Sequence, residues 1–375
     1  YRVFQSTFDR KYGGFGMKPK FPTPHNLIFL LSYSYFEKND VALDMVKDTL
    51  EHMYRGGIFD HIGYGFSRYS TDEKWLIPHF EKMLYDNALL AIAYTEAYSL
   101  TKNKLYQSIT EKTLEYVNRE LLSEEGGFYC AQDADSEGVE GKYYCLSMEE
   151  VINVLGKEDG EWFTKHYNFT NKGNFEGLNI PNLINTPDFE KEDIRLIDLQ
   201  QKLLQYRLNR FALHKDDKIL VSWNALMIVA YAKAYQVFGN EEYKKTAQRA
   251  IKFIQENLID KENNLYASYR ITPSKHLGTI DNYAFLIWAY LEMYEATFMV
   301  EYLKNALDLQ KKMQEEFWDE KNGGYYIYGN SSEKLITRPK EVYDGAIPSG
   351  NSVATYCLAK LYKLTFNQEI NRILD

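Results

Sequence analysis

Cysteine is scarce: the 375 residues hold three, at 130, 145 and 357, and none stand in CxxC spacing. That argues against a disulfide-stapled scaffold, a thiol–disulfide motif and a structural zinc site, and suits reduced thiols in a cytoplasmic protein. Long apolar runs are missing as well, and no uncharged stretch approaches the roughly 18–20 residues a membrane helix needs. Basic clusters are absent. The 44 Lys and Arg are outnumbered by 53 Asp and Glu, for a net charge of −9, and lysines share helix faces with glutamates, as in EKTLEYVNRE. Neither a nucleic-acid partner nor an anionic membrane surface is expected. No GxGxxG, Walker, HExxH, GxSxG or DDxxD pattern occurs, so no cofactor is expected and a serine triad or terpene cyclase is disfavoured.

Aromatics are plentiful: 32 Tyr, 21 Phe and 5 Trp make up 15% of the chain. Such residues line clefts for sugar-like ligands, and they also pack helix seams.

A repeat organises the rest. DNALLAIAYTEAYSLTKNKLYQSITEKTLEYVNREL (86–121) has relatives at 223–258 and 281–317, each an apolar helix, a tight turn and an amphipathic charged helix. A helix apolar all round belongs inside, and its striped partner outside. Weaker copies begin at HNLIFLLSYSYF (25–36) and GNSVATYCLAKLY (350–362). An Asn marks all five, at 26, 87, 224, 282 and 351, and is read as a helix N-cap. The steps are 61, 137, 58 and 69, so the long one hides another unit. SMEEVINVLG, opened by a Ser147/Glu150 capping box, fits its shortened inner helix, and 193–210 its outer one. A second ladder of small residues runs through GGF (13–15), GGIF (56–59), GGFY (126–129), NNLY (263–266) and GGYY (323–326). Six hairpins make an all-α (α/α)6 toroid with small β-hairpins in its long loops, expected to form one domain over 1–375. The chain opens at Tyr1 and ends in NQEINRILD, which reads as a piece of a longer protein.

Inner-to-outer turns are short, whereas the connections 56–80, 122–146, 259–280 and 318–349 are long and project from one end. Function concentrates in such loops. With a helix starting at Pro78 in WLIPHFEKMLYDNALL, His79, Lys82 and Asp86 share one face, lining a cavity mouth or anchoring a loop. GGIFDHIGYGFSRYSTDEKW (56–75) brings Asp60, His61 and Arg68 among glycines; Arg68 is either an anion clamp or a paired loop charge. The acidic loop around Asp133, Asp135, Glu137 and Glu140 is not an EF-hand, because the twelfth position from Asp133 is Tyr144. Paired carboxylates suit glycosidic acid–base chemistry, and two facing imidazoles would suit proton shuttling at a sugar carbon. His25, His61, His79 and His276 lie on or beside the loops, and Trp223, Asp281, Asp344 and Ser349 precede or open inner helices.

KPKFPTP (18–24), the block 56–90, AQDADSEGVEGKYY (131–144), GNFEGLNI (173–180) and DDKILVSWNALMI (216–228) resemble the spermatogenesis-associated, thioredoxin-domain-containing proteins and their bacterial relatives. The resemblance implies a helical toroid similar to six-hairpin glycosidases and N-acylglucosamine 2-epimerase, preceded in the family by a thioredoxin-like domain. No redox chemistry is carried over, because these motifs lie in the helical part. WNAL stands where relatives tend to read WNGL, a small departure.

The leading expectation is a carbohydrate-active enzyme, hydrolase-like or epimerase-like. His61, His79, Glu81, Asp133 and Asp135 are the catalytic candidates. Asp60, Arg68, Asp86, Tyr143, Trp223, Asn224, Asp281 and Asp344 are the substrate-binding ones, with no metal ligand among them. The alternative is a non-catalytic domain holding a ligand or client for the thioredoxin-like domain of the same chain.

Overall fold

The computed structural model describes every residue except Glu192, Asn263 and Asp375, so the first residue of the NNLY element lies outside the described residues. A short α1 (Arg2–Thr7) precedes a hairpin of α2 (Pro24–Glu37) and α3 (Asp40–Arg55), then one of α4 (Leu84–Thr101) and α5 (Lys104–Glu120). In the third, α6 (Met148–Leu155) is followed by α7 (Lys157–His166), an unexpected addition, and then by the outer α8 (Ile194–Arg210). Beyond it come α9 (Val221–Phe238) with α10 (Glu241–Asn257), α11 (Ile280–Thr297) with α12 (Val300–Phe317), and α13 (Gly350–Thr365) with the short α14 (Gln368–Leu374). The expected capping box opens α6: the Ser147 hydroxyl accepts from Glu150 N–H at 3.1 Å, and the Glu150 carboxylate accepts from Ser147 N–H at 2.7 Å.

The apolar sequences α4, α9 and α11 are buried almost all round, while α5, α10 and α12 bury one stripe each. Removing that apolar surface from water is what stabilises the pairing. Lys38, Lys102, Gly239, Phe298 and Phe366 close five helices in the left-handed conformation. After the first three, the next residue is an Asn that caps the outer helix, Asn39, Asn103 or Asn240. This two-residue device keeps the turns short.

The chain packs as two compact units, Tyr1–Leu121 with Ala131–Asp216, and Leu122–Cys130 with Asp217–Asp375. In the first, β1 (Tyr69–Ser70) pairs with β2 (Pro78–His79), β3 (Lys82–Met83) with β4 (Ala131–Gln132), and β5 (Asp135–Ser136) with β6 (Val139–Glu140), all antiparallel. The other edge of β4 takes β7 (Lys215–Asp216). In the second, β8 (Ile219–Leu220), β9 (Ser268–Arg270) and β10 (Thr272–Pro273) form one antiparallel sheet.

Three expectations are corrected. The helix does not begin at Pro78: Pro78 and His79 pair with Ser70 and Tyr69, Lys82 pairs with Gln132, and α4 starts at Leu84. The backbone here satisfies its hydrogen bonds across strands, so His79, Lys82 and Asp86 do not share a helix face. The small-residue ladder is also shifted in its second member. The counterpart of Gly14-Phe15, Gly127-Phe128 and Gly324-Tyr325 is Gly65-Phe66, not GGIF. Among the described residues one turn recurs five times, with a backbone bond from Asp9 to Gly14, Asp60 to Gly65, Ser123 to Gly127, Asp260 to Asn264, and Asp319 to Gly324.

No Asn of the ladder stands at an N-cap: those positions are Thr23, Met83, Leu220, Thr279 and Ser349. Asn87 accepts the Phe66 N–H at 2.7 Å and donates to the Phe66 carbonyl at 3.0 Å and the Met83 carbonyl at 2.9 Å. Asn224 grips Phe128 in the same way, and Asn351 grips Tyr325. The two ladders are therefore one device: an amide in the first turn of an inner helix clasps the aromatic residue of the preceding turn. Asn282 departs from this and completes a capping box with Thr279, while the Tyr283 hydroxyl takes the Leu265 N–H.

Candidate functional site

The turn at Asp60 carries a buried ion cluster. The Asp60 carboxylate accepts the N–H groups of Ile62 and Gly63, both at 3.0 Å. Arg207 grips it with two prongs at 3.0 and 2.5 Å, and the Lys82 ammonium reaches it at 2.8 Å. Lys82 also donates to the Tyr64 carbonyl at 2.6 Å. Tyr143 and Tyr144 cover Arg207, and Tyr116 and Tyr144 cover Lys82. Burial alone would raise the Asp60 pKa, but Arg207 and Lys82 hold it well below the usual carboxylate range. Burial lowers Lys82 to about 8.

Other copies of the turn show what this arrangement is for. Lys20 bridges Asp9 at 2.6 Å and the Gly13 carbonyl at 2.7 Å. Lys340 bridges Asp319 at 2.6 Å and the Gly323 carbonyl. An Asp-turn locked by a lysine is thus a repeated framework element, and Asp60 is one instance of it. Tyr143 spends its ring on the same cluster.

His61, beside it, is only 1% exposed and ringed by Tyr54, Phe59 and Tyr167. Its Nε2 lies 3.2 Å from the Gly56 carbonyl, and burial lowers its pKa to about 3. The imidazole is neutral at physiological pH and encased in aromatics.

A different group of side chains is linked and partly open to solvent. The Arg68 Nε donates to the Tyr85 hydroxyl at 3.2 Å, and its Nη1 lies 3.4 Å from Glu81. His79 meets Glu81 at 3.6 Å through Nε2 and Glu140 at 2.7 Å through Nδ1. Its ring stacks on Tyr69, which stacks on Phe21. The strand pairs explain the assembly: β1–β2 sets His79 against Tyr69, and β5–β6 carries Glu140. The side chains of Arg68 and His79 are 40% and 28% exposed.

Asp86, in the first turn of α4, lies at the inner end of this group and is 3% exposed. Its Oδ2 is buried without a hydrogen-bond partner. Burial raises its pKa well above the usual value; Arg68 and the Tyr85 contact oppose the rise, and Glu81 adds to it. Asp60 and Asp86 are thus two buried aspartates of opposite character, one held ionised by two cations and one favoured as the neutral acid.

The remaining candidates lie as follows. Asp133 accepts the Asp135 N–H at 3.2 Å, and Asp135 stands opposite Glu140 across the β5–β6 pair. In the second unit, Trp223 is half-buried in the first turn of α9, Asn224 is the clasp to Phe128, and Asp344 accepts the Ser349 N–H at 2.8 Å. Asp281, the repeat counterpart of Asp86, is also raised by burial, and Gly350 N–H bonds to it. Among the described residues no three His, Cys, Asp or Glu converge as a metal site. Tyr85 and Arg207 were not singled out from the sequence; Arg207 reaches Asp60 from 147 positions away, a contact no local pattern records. A cavity of about 110 Å³ near Tyr54, Lys112 and Tyr167 and another of about 350 Å³ near Gln255, Tyr290 and Asp308 involve none of these site candidates.

No family model matches the chain. The chain is homologous to spermatogenesis-associated protein 20: 35% identical to the protein of Homo sapiens and 34% to that of Mus musculus, over 98% of its own length and 53% of theirs. It spans about half the length of the curated relatives it matches. Among solved structures, a GH76 alpha-mannanase of Bacteroides thetaiotaomicron aligns with a TM-score of 0.58 at 14% identity, over 98% of this chain and 78% of that one. The unsaturated glucuronyl hydrolase of Bacillus sp. GL1 aligns at 0.53 and 12%, over 91% and 72%. At such identities the likeness shows the fold alone, the six-hairpin toroid with small antiparallel sheets. Among the described residues no helix is long and apolar enough to cross a membrane.

Proposed function

We propose that this homologue of spermatogenesis-associated protein 20 is a carbohydrate-active enzyme that hydrolyses a glycosidic bond, with Asp86 as the proton donor. One observation carries the reading: a buried carboxyl group with a raised pKa and an unclaimed oxygen, next to ionisable side chains open to solvent. Glycoside hydrolysis needs a carboxylic acid kept neutral and a second carboxylate kept charged, set apart by their surroundings. Asp86 has the environment of the first, and Glu81, 3.4 Å from Arg68 in the same linked group, is the carboxylate at hand for the second role. As the C–O bond breaks, the Asp86 proton passes to the leaving oxygen. Glu81 takes a proton from the water that adds to the sugar carbon. His79 and Tyr69 offer a stacked ring pair at the same edge, and Arg68 positions Glu81 and Tyr85.

Epimerisation by two imidazoles is less well supported, because His61 is packed among aromatic rings with its titration pushed far below neutrality. We leave Asp60, His61 and Tyr143 out of the proposed catalytic and binding set, and keep Asp133 and Asp135 as residues of the adjoining hairpin. One second reading is that the chain belongs to a longer protein and holds a ligand for a thioredoxin-like domain; the relatives, about twice its length, leave room for a further domain.

A glycan-hydrolysis screen with wild type, Asp86→Asn and Glu81→Gln tests the proposal. Each substitution is expected to lower turnover by about 10²–10⁴-fold, the range of one lost general acid or base. Turnover undiminished in Asp86→Asn would refute it.

A further inference from the structure

We infer that the sugar unit bound beside Asp86 carries no anionic group, so that the substrate is an uncharged or amino saccharide rather than a uronate or a phosphorylated sugar. This rests on the carbohydrate reading above.

The charges around the cluster carry the inference. Along the linked groups and the hairpin beside them, Arg68 and Lys142 are set against Glu81, Asp133, Asp135, Glu137 and Glu140. Each cation already pairs with a carboxylate. Arg68 is shared between Glu81 and Tyr85, and Lys142 pairs with Glu137 at 2.6 Å. Both nitrogens of His79 already face carboxylates. Asp135 and Glu140 oppose each other directly across β5–β6, an arrangement that costs stability unless a neutral or positive group sits nearby. An arriving carboxylate or phosphate would meet net negative charge and would compete with Glu81 for Arg68. A second negative charge beside Asp86 would also oppose the release of its proton to the leaving oxygen.

Hydroxyl groups meet no such penalty, since carboxylates, imidazole and the Tyr85 oxygen all accept or exchange hydrogen bonds with them. A protonated amine would gain from the same field. The selection works chiefly by exclusion: like charges brought together in an incompletely solvated site lower affinity steeply.

The test is calorimetric titration of the protein with matched hexose series in gluco, galacto and manno configurations. Each series contains the neutral sugar, its 2-amino form, its uronate and its 6-phosphate. The expected result is that a neutral or amino member binds and that its uronate and phosphate bind at least about tenfold more weakly, in line with a like-charge penalty. The gap should narrow in the Glu81→Gln/Glu140→Gln variant and in high salt. A uronate or phosphate binding as tightly as its neutral counterpart, with binding lost in Asp86→Asn, would overturn the inference while leaving the carbohydrate reading intact. No binding by any member would overturn both.

Discussion

Two buried aspartates in the same part of the chain differ in their partners, and the difference sets their roles. Asp60 is held by Arg207 and Lys82, so Asp60→Asn should leave two buried cations short of their counter-charge. The expected cost is about 3–5 kcal/mol in urea unfolding, the range for breaking a buried ion pair on one side. Loss of under about 1 kcal/mol would show that the cluster relaxes by other means. Asp86 behaves oppositely. Its folded pKa is raised above the ordinary aspartate value of 3.8, so its contribution to stability is full below that pH and is lost as pH rises through the folded value. The melting temperature of Asp86→Asn should therefore gain on wild type between about pH 4 and 7. A difference constant over that range would contradict the protonated state.

His61 gives the third residue-scale prediction. Its pKa is lowered from 6.5 to about 3, so stability is present above 6.5 and falls as pH drops toward 3. The loss should approach about 1.4 kcal/mol per pH unit, and His61→Gln should flatten it. Equal acid slopes for the two proteins would show that the ring is not protected from protons. Sequence alone brought Asp60, His61 and Asp86 forward together, as ionisable residues near glycines and an inner-helix start. It could not rank them, because burial and the reach of Arg207 decide which is ionised.

At the scale of elements, both ladders were legible and their connection was not. An Asn near each inner-helix start reads as a cap from the sequence, since Asn is a good one. Only the structure shows Asn87, Asn224 and Asn351 holding the backbone of Phe66, Phe128 and Tyr325. The misplaced second rung has a plain cause: GGIF looks like GGFY, yet the turn that Asp60 organises closes on Gly65. The start of α4 was missed for a related reason. Pro78 suits a helix N-terminus, but strand pairing with Ser70 claims it first. The clasp makes a prediction of its own. Asn87→Ala strands a buried N–H and carbonyl of Phe66 and should cost about 2–4 kcal/mol by urea denaturation, up to the full desolvation of both. Asn26→Ala, at a half-buried ladder position without a clasp, should cost no more than about 1 kcal/mol, the typical size of a point change. Similar costs for both would rule out the clasp as the reason for the ladder.

For the molecule as a whole, six hairpins could be counted from the sequence because the Asn spacing leaves one double-length step, and the hidden unit appeared where α6 and α8 stand. Its irregularity, with α7 inserted, left no periodic trace. What the sequence could not deliver was the chemistry, which depends on which ionisable groups meet, and on fold likenesses at 14% identity or less that show architecture alone. Everything in the proposed reaction depends on Asp86 entering it with its proton. The most direct measurement is the infrared difference spectrum between wild type and Asp86→Asn at pH 7. A protonated-carboxyl band present in wild type and missing in the variant is the expected result. The paired bands of an ionised carboxylate in its place would contradict the proposed chemistry at its root.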